Sequence, residues 1–511
     1  MKRLLFTVVF VLIVNSVEGA IGISLTPNTW PIGVIGTSVT KTTDANYFTL
    51  TNTGTEFVGV SIKAGSSVPS SMNPGTSSGP DTYVLKFGTS GQWTTITSSG
   101  VNMLPWIIDG SSYQFSLQFQ APTSVSSHEQ QTVVVTISAY ADSPTAMENR
   151  TLPAGAPWYG SVIVWIPQFT PEWGGTTGGF WMDKYECSQP NASATTGVPD
   201  VADAADPGTI PAVSKQGVIP WDNITFQNSK KACQNRGSGF HLCNGKEWAA
   251  AAEYAKEVIG TQPGGNNADQ TPPTDQDNDT SGTQYGTIDP TQGNRDLTGT
   301  GPVAWSLDQT GKGPYDLNGN CSEWVDGFFI QQTSGNALIY DVTKVANSGK
   351  GTGGTNQFTI TQCDDRTDPA TIPTNNWGTS GYYLLDSANT FIQITGNNGG
   401  VVSLASSPAV GTYAYGIYKD TGTSISGVGD GRINSLRNSD SDLKYYAIPA
   451  SASGVPSPTY GNDFWWKDPT ANRPAIRGLT YWDSNMAGVF GLYLNGSVND
   501  TGVVPGFRAC K

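Results

Sequence analysis

The 511 residues include only 13% charged side chains, and the formal net charge is −14 at pH 7. That length holds roughly two to four domains, and the acidic balance excludes a nucleic-acid-binding role, which requires a basic face. Abundant Thr, Ser and Asn, with 61 glycines, suit β-rich, loop-heavy extracellular domains and exclude a helical bundle. In chain order, residues 1–19 read as a secretory signal peptide. Lys2 and Arg3 give a positive start, and Leu4 to Val14 form an apolar run too short to cross a bilayer as a helix. Small residues around Gly19 place cleavage before Ala20. No later apolar run is long enough for a membrane span. The mature chain is therefore expected to be secreted or held at the cell surface, with no transmembrane segment.

Residues 20–142 contain seven short alternating or β-branched runs, from ISLTPNTWPIG to QTVVVTISAYA, separated by Asn, Gly and Pro turns. This spacing predicts an immunoglobulin-like β-sandwich without cysteines, acting as a spacer. Residues 143–157 (SPTAMENRTLPAGAP) read as a linker. Beyond it Trp, Tyr and Cys become frequent. GFWMDKYEC at 179–187, VIPWDNITFQNSKKAC at 218–233, GFHLCNGKEWAAAAEYA at 239–255 and GPYDLNGNCSEWVDG at 313–327 stand out. The Ala, Glu and Lys spacing at 247–258 predicts the best helix of the chain. Residues 328–458, rich in Gly, Thr, Ser and Asn, read as inserted loops and hairpins.

The six cysteines (Cys187, Cys233, Cys243, Cys321, Cys363 and Cys510) form no CxxC pair. An even number in an exported chain favours disulfides over metal ligation, with the pairing left open. The two histidines, His128 and His241, lie beside no nucleophile motif, so neither a zinc site nor a Ser-His-Asp triad is indicated.

The closing stretch, 473–511, alternates small or apolar blocks (AIRG, AGVF, GFRAC) with Thr, Tyr, Trp, Asp, Asn and Met. The blocks suit packed strands; the interleaved residues suit a recognition surface. In Gly491-Leu492-Tyr493-Leu494-Asn495, alternation puts both leucines in the core and Tyr493 and Asn495 outside.

Taken together, the DKYEC, WDN, KEW, GNCSEWV and GFR blocks resemble the formylglycine-generating-enzyme (sulfatase-modifying) family across 158–511. That resemblance implies an α+β C-type lectin-like domain of the formylglycine-generating-enzyme type, preceded here by the all-β immunoglobulin-like sandwich. The family's oxidases bind copper through two cysteines in the closing segment. The matching region, 478–494, contains none, so neither catalysis nor a catalytic cofactor is expected. The resemblance also implies a structural Ca2+ held by Asp316, Gly319, Cys321 and Glu323, of which the two carboxylates offer hard oxygens.

The closing segment resembles more closely the variable proteins of diversity-generating retroelements, through Arg477-Gly478, Ala487 to Phe490, Leu492, Leu494 and Gly506 to Arg508. In that group a reverse transcriptase introduces errors at adenines, and the scattered residues bind diverse ligands, usually proteins. The resemblance makes Thr480, Tyr481, Trp482, Asp483, Met486, Tyr493, Asn495, Gly496, Asp500, Thr501, Gly502, Val503 and Val504 the ligand-binding candidates. Trp482 and Met486 do not fit adenine-directed change of an Asn codon, because their codons end in G. Leu479 and Tyr481 stand where the group usually has Gly and Trp. The function implied is a surface receptor or adhesin for diverse protein or cell-surface ligands. The alternatives are a non-catalytic relative with a fixed structural or carbohydrate-binding role and, disfavoured by the missing cysteines, a formylglycine-generating oxidase.

Overall fold

The computed structural model describes residues 3–14, 21–54, 57–69, 72–89, 92–141, 144–198, 205–237, 239–266, 287, 289–291, 295–332, 334–350, 356–363, 381–386, 390–398, 401–408, 415–481, 483, 486–499 and 505–511. The chain divides into two compact units, Met1–Ser143 and Pro144–Lys511. Among the described residues no helix is long and apolar enough to cross a membrane.

The first unit is two sheets packed face to face. One runs in the order Val101–Ile107, Val58–Val68, Gln131–Ala141, Arg3–Val14, Thr29–Gly36. The other is built on Ile23–Thr26, Phe48–Asn52, Ser112–Gln120 and Thr82–Thr89. Strict alternation, such as the buried–half-buried pattern of Gln131–Ala141, sends every second side chain inward. The apolar run read as the core of a signal peptide is here a strand. It pairs in parallel with Gln131–Ala141 and antiparallel with Thr29–Gly36, and Phe6 and Val8 are fully buried. A β-branched, aromatic-containing run satisfies strand propensity wherever it finds partners on both edges. Phe6 meets Phe119, and Phe48 stacks on Phe115, with ring centroids 4.8 and 5.1 Å apart.

The stretch read as a linker belongs partly to the second unit. Asn149–Thr151 pairs with Val162–Ile166, and Met147 enters the core. That five-stranded sheet continues through Phe180–Asp183 and Ala509–Cys510 to His241–Leu242. The Cys243–Cys510 disulfide closes it, while Cys187, Cys233 and Cys321 are buried thiols. A second, larger sheet carries Ser322–Ile330, Arg473–Gly478, Gly488–Leu494 and Phe464–Lys467 side by side, in that order.

The expected α+β C-type lectin-like fold is not what this chain adopts. Strands take up 45% and helices 8%, with two α-helices, Phe226–Gln234 and Gly245–Tyr254, among the described residues. Much of the difference lies in 328–458, read as inserted loops and hairpins. Asn336–Lys350, Tyr415–Ser424, Tyr382–Leu385, Gly431–Leu436 and others extend the large sheet itself. Their Ile, Tyr, Val and Thr residues hold strands despite the Gly and Asn between them. The helices that do form are locally specified. Thr225 caps the first, and an Asn244–Glu247 capping box starts the second, which ends in a π turn, Ala255–Ile259, before left-handed Gly260.

Candidate functional site

Four adjacent strands present one row of side chains. Trp324 lies opposite Ile476, Ile476 opposite Tyr493, and Tyr493 opposite Trp466. Phe464, two residues before Trp466, shares its face. The row is covered at one end and open at the other. Trp324 is fully buried beneath Phe226, and Ile476 is 5% exposed, whereas Tyr493, Trp466 and Phe464 are half-buried. Their rings are stepped: Phe464 and Trp466 lie 4.1 Å apart at 41°, and Trp466 and Tyr493 lie 4.8 Å apart at 66°. Asn495 hydrogen-bonds Tyr493, and burial, then Asp483 and Asp430, raise the Tyr493 phenol pKa. Lys467 pairs with Asp430 at 3.4 Å.

The row stands on a rigid base. Trp465, Leu492 and Leu494 point the other way and are fully buried. Trp248 Nε1 donates to the Val489 carbonyl at 2.8 Å, fixing the Gly245–Tyr254 helix to the closing strand. Buried Arg477 donates to the carbonyls of Phe490 at 3.0 Å, Ala447 at 3.3 Å and Tyr446. Leu479 has φ 58°, a left-handed conformation that explains why glycine suits this position.

The segment's candidates therefore separate. Asp483, Met486, Tyr493 and Asn495 are partly exposed. Thr480 and Tyr481, at 5% and 7% exposure, and Gly496 are interior. Thr480 donates from its backbone N–H and its Oγ1 to Asp483 Oδ2, both at 2.8 Å, closing the turn locally. Trp482, Asp500, Thr501, Gly502, Val503 and Val504 lie outside the described residues. Phe464 and Trp466 are missed by a reading confined to 473–511. Their signal is the alternation in Asp463-Phe464-Trp465-Trp466-Lys467, which places one Trp inside and its neighbour outside.

Asp316, Cys321 and Glu323 do come together, in a buried cluster whose cation is Arg508. Glu323 accepts from Arg508 Nε at 3.0 and 3.1 Å and from Nη2 at 2.6 Å, and Asp316 Oδ2 accepts from Gly299 N–H at 2.6 Å. Gly319 N–H donates to the Gly478 carbonyl, which ties the cluster to the Arg473–Gly478 strand. Calcium takes six to eight oxygen ligands, and the Glu323 carboxylate is here engaged by the Arg508 guanidinium. Glu186 completes the cluster, accepting from Cys321 N–H at 2.8 Å and Asn320 Nδ2 at 2.6 Å. Two further buried pairs, Arg236 with Asp183 at 2.7 Å and Arg295 with Asp289 and Asp222, lie in the same unit. Cys243, Glu247 and Cys510 also cluster, but the sulfurs are joined. The Glu247 carboxylate accepts from Asn244 N–H at 2.8 Å and meets His241 Nε2 at 2.8 Å.

Burial pushes Glu323 up to about 7 and Asp316 to about 6, and raises Glu186 as well. Folded, these acids hold protons that the unfolded chain has released. Their stabilising contribution is therefore complete below the ordinary carboxylate range and is lost as pH climbs through about 6 to 7. The second unit should melt at least about 2 °C higher at pH 5 than at pH 8, a gap that Glu323→Gln narrows. Calorimetry at the two pH values checks this, and a higher melting temperature at pH 8 would contradict it.

A cleft of about 490 Å3 near the start of the Gly245–Tyr254 helix is lined by Thr176, Thr177, Phe180, Asn244, Glu247 and Tyr445. Its one carboxylate is the one already engaged by His241 and Asn244, and no nucleophile–base pair is found among its described residues. Comparison with known proteins adds no family: no protein-family model matches the chain, and no curated protein does.

Proposed function

We propose that this chain is an exported or surface-displayed receptor or adhesin that captures protein ligands on the open end of the aromatic row. We further propose that its closing segment is varied by a retroelement. The observation that carries the reading is the half-exposed Phe464–Trp466–Tyr493 series, rimmed by Asn495, Asp483 and Asp430 and mounted on strands whose opposite side chains, Trp465, Leu492 and Leu494, are fully buried. Tyr and Trp dominate interface hot spots, and aromatic rings bounded by polar groups suit a protein partner. The rings touch one another and are inclined by 41° and 66°, so they offer an uneven surface of faces and edges that suits protein side chains better than the flat face of a sugar, which stacks best on a single coplanar platform.

The test of diversification is to sequence the gene across many clones of one population. Differences should concentrate in adenine-bearing codons of the closing segment, among them those of Asp483, Tyr493 and Asn495. A near-identical template copy should lie beside a reverse-transcriptase gene. Invariant codons and no template would replace this proposal with a fixed binding role. For any protein ligand selected against the wild-type chain, Trp466→Ala is expected to weaken binding by about 30-fold. Lys86→Ala, in the first unit, is expected to change it less than twofold. Surface plasmon resonance reads both, and equal effects would remove the aromatic row from the interface.

A further inference from the structure

Lys230 and Asp326 form a pair with no counterpart in the binding face. Lys230 Nζ lies 2.6 Å from Asp326 Oδ2, and the two side chains are 4% and 5% exposed. Lys230 belongs to the Phe226–Gln234 helix, and Asp326 to the Ser322–Ile330 strand. The lysine tip is walled by aromatic rings, with Nζ 5.5 Å from the Phe226 centroid and 5.7 Å from that of Tyr340. The other carboxylate oxygen is held separately: Oδ1 accepts from Gly327 N–H at 2.8 Å and from Tyr418 O–H at 2.7 Å. Tyr340 lies beyond, its hydroxyl 3.3 Å from Nζ and its ring stacked on Tyr418 at 4.7 Å. Gly327 has φ 78°, and a Cβ there would strike the Tyr340 ring at 2.3 Å, so only glycine brings this N–H to the carboxylate.

We propose that Lys230 and Asp326 condense within the folded chain to an isopeptide bond that ties the helix to the central strand. The arrangement separates the roles the reaction needs. One oxygen faces the amine and can leave; the other is polarised by two donors placed as in an oxyanion hole. The fold holds amine and carboxyl in contact, which replaces a bimolecular encounter by an intramolecular one. The proton balance closes without an added reagent. One ammonium proton crosses to Oδ2 along the 2.6 Å contact, leaving a neutral amine and a neutral acid. Nζ then attacks Cγ, and charge gathers on Oδ1 against Gly327 and Tyr418. A second proton passes from Nζ to Oδ2, directly or through the Tyr340 hydroxyl. The Cγ–Oδ2 bond breaks, water leaves, and the amide keeps one N–H with Oδ1 as its carbonyl oxygen. No oxidation or reduction occurs.

The wild-type full-length chain supplies the decisive measurement, so nothing depends on a variant folding. After reduction and proteolysis, the peptides bearing Lys230 and Asp326 should emerge as one branched species, about 18 Da lighter than their sum, the mass of one water. Lys230→Arg should give two unlinked peptides at full mass. Tyr418→Phe should slow linkage at least tenfold after refolding, since it removes one of the two donors to Oδ1. Separate, unmodified peptides from the wild-type chain would overturn the proposal and leave a buried ion pair.

Discussion

Replacing Arg508 with Met is expected to cost the second unit about 3–5 kcal/mol, the largest effect of any single substitution considered. Arg508 is fully buried and is the only cation in contact with Glu323 among the described residues. It also donates to the carbonyls of Tyr315 at 2.8 Å and Asp183 at 3.2 Å. Met keeps the length of the side chain but removes every one of these donors. At pH 8, above the range in which Glu323 takes up its proton, it leaves that carboxylate beside Asp316 and Glu186 with no compensating charge, and an uncompensated buried charge costs far more than the intact pair contributes. Adding Glu323→Gln should return part of the loss, because the two changes act on one interaction and are not additive. Urea unfolding of the single and double variants measures the coupling. A loss below about 1 kcal/mol for Arg508→Met would mean that Glu323 is held as the neutral acid and needs no cation.

How legible this was in the sequence differs from part to part. The alternation in Leu492-Tyr493-Leu494-Asn495 placed the leucines inward by strand geometry alone, and the structure has them fully buried. The Ala-rich helix was legible because its Ala, Glu and Lys spacing is local, although the structure starts it at Gly245 and passes into a π turn at Ala255. The architecture was not, because it is set by which strands pair. Composition marks 328–458 as Gly- and Asn-rich, but does not show that Asn336–Lys350 pairs with Ser322–Ile330 and carries the sheet onward. The charged cluster was legible only in part. Asp316 and Glu323 have the oxygens that calcium prefers, but their pattern does not show that Arg508, far along the chain, pairs with Glu323. Thr480 and Tyr481 look like recognition residues by type, yet the turn closed on Asp483 folds them inward. The opposite case is Trp466, outside the segment that drew attention but brought beside Tyr493 by a parallel pairing between separate strands.

Removing the Cys243–Cys510 disulfide, as Cys243→Ala with Cys510→Ala, is expected to lower the stability of the second unit by about 3–5 kcal/mol. The bridged residues are separated by 267 positions, so the bond removes a large amount of freedom from the unfolded chain. The gain is concentrated where backbone pairing is weakest, since Ala509–Cys510 is a two-residue strand held between Met182 and His241–Leu242. Both sulfurs are buried, so reductant should act only on molecules that have already opened. The binding face should respond differently from the fold. Its rings hang on Phe464–Lys467 and Gly488–Leu494, which Trp248 and Arg477 secure without help from the disulfide. Under native conditions the double variant should therefore bind within about twofold of wild type, a coupling below 0.5 kcal/mol as expected of separate sites, while unfolding at much lower urea. Loss of binding in step with stability would show that the C-terminal strand positions the face. A stability change under about 1 kcal/mol would show that the segments around Cys243 and Cys510 already meet in the unfolded ensemble.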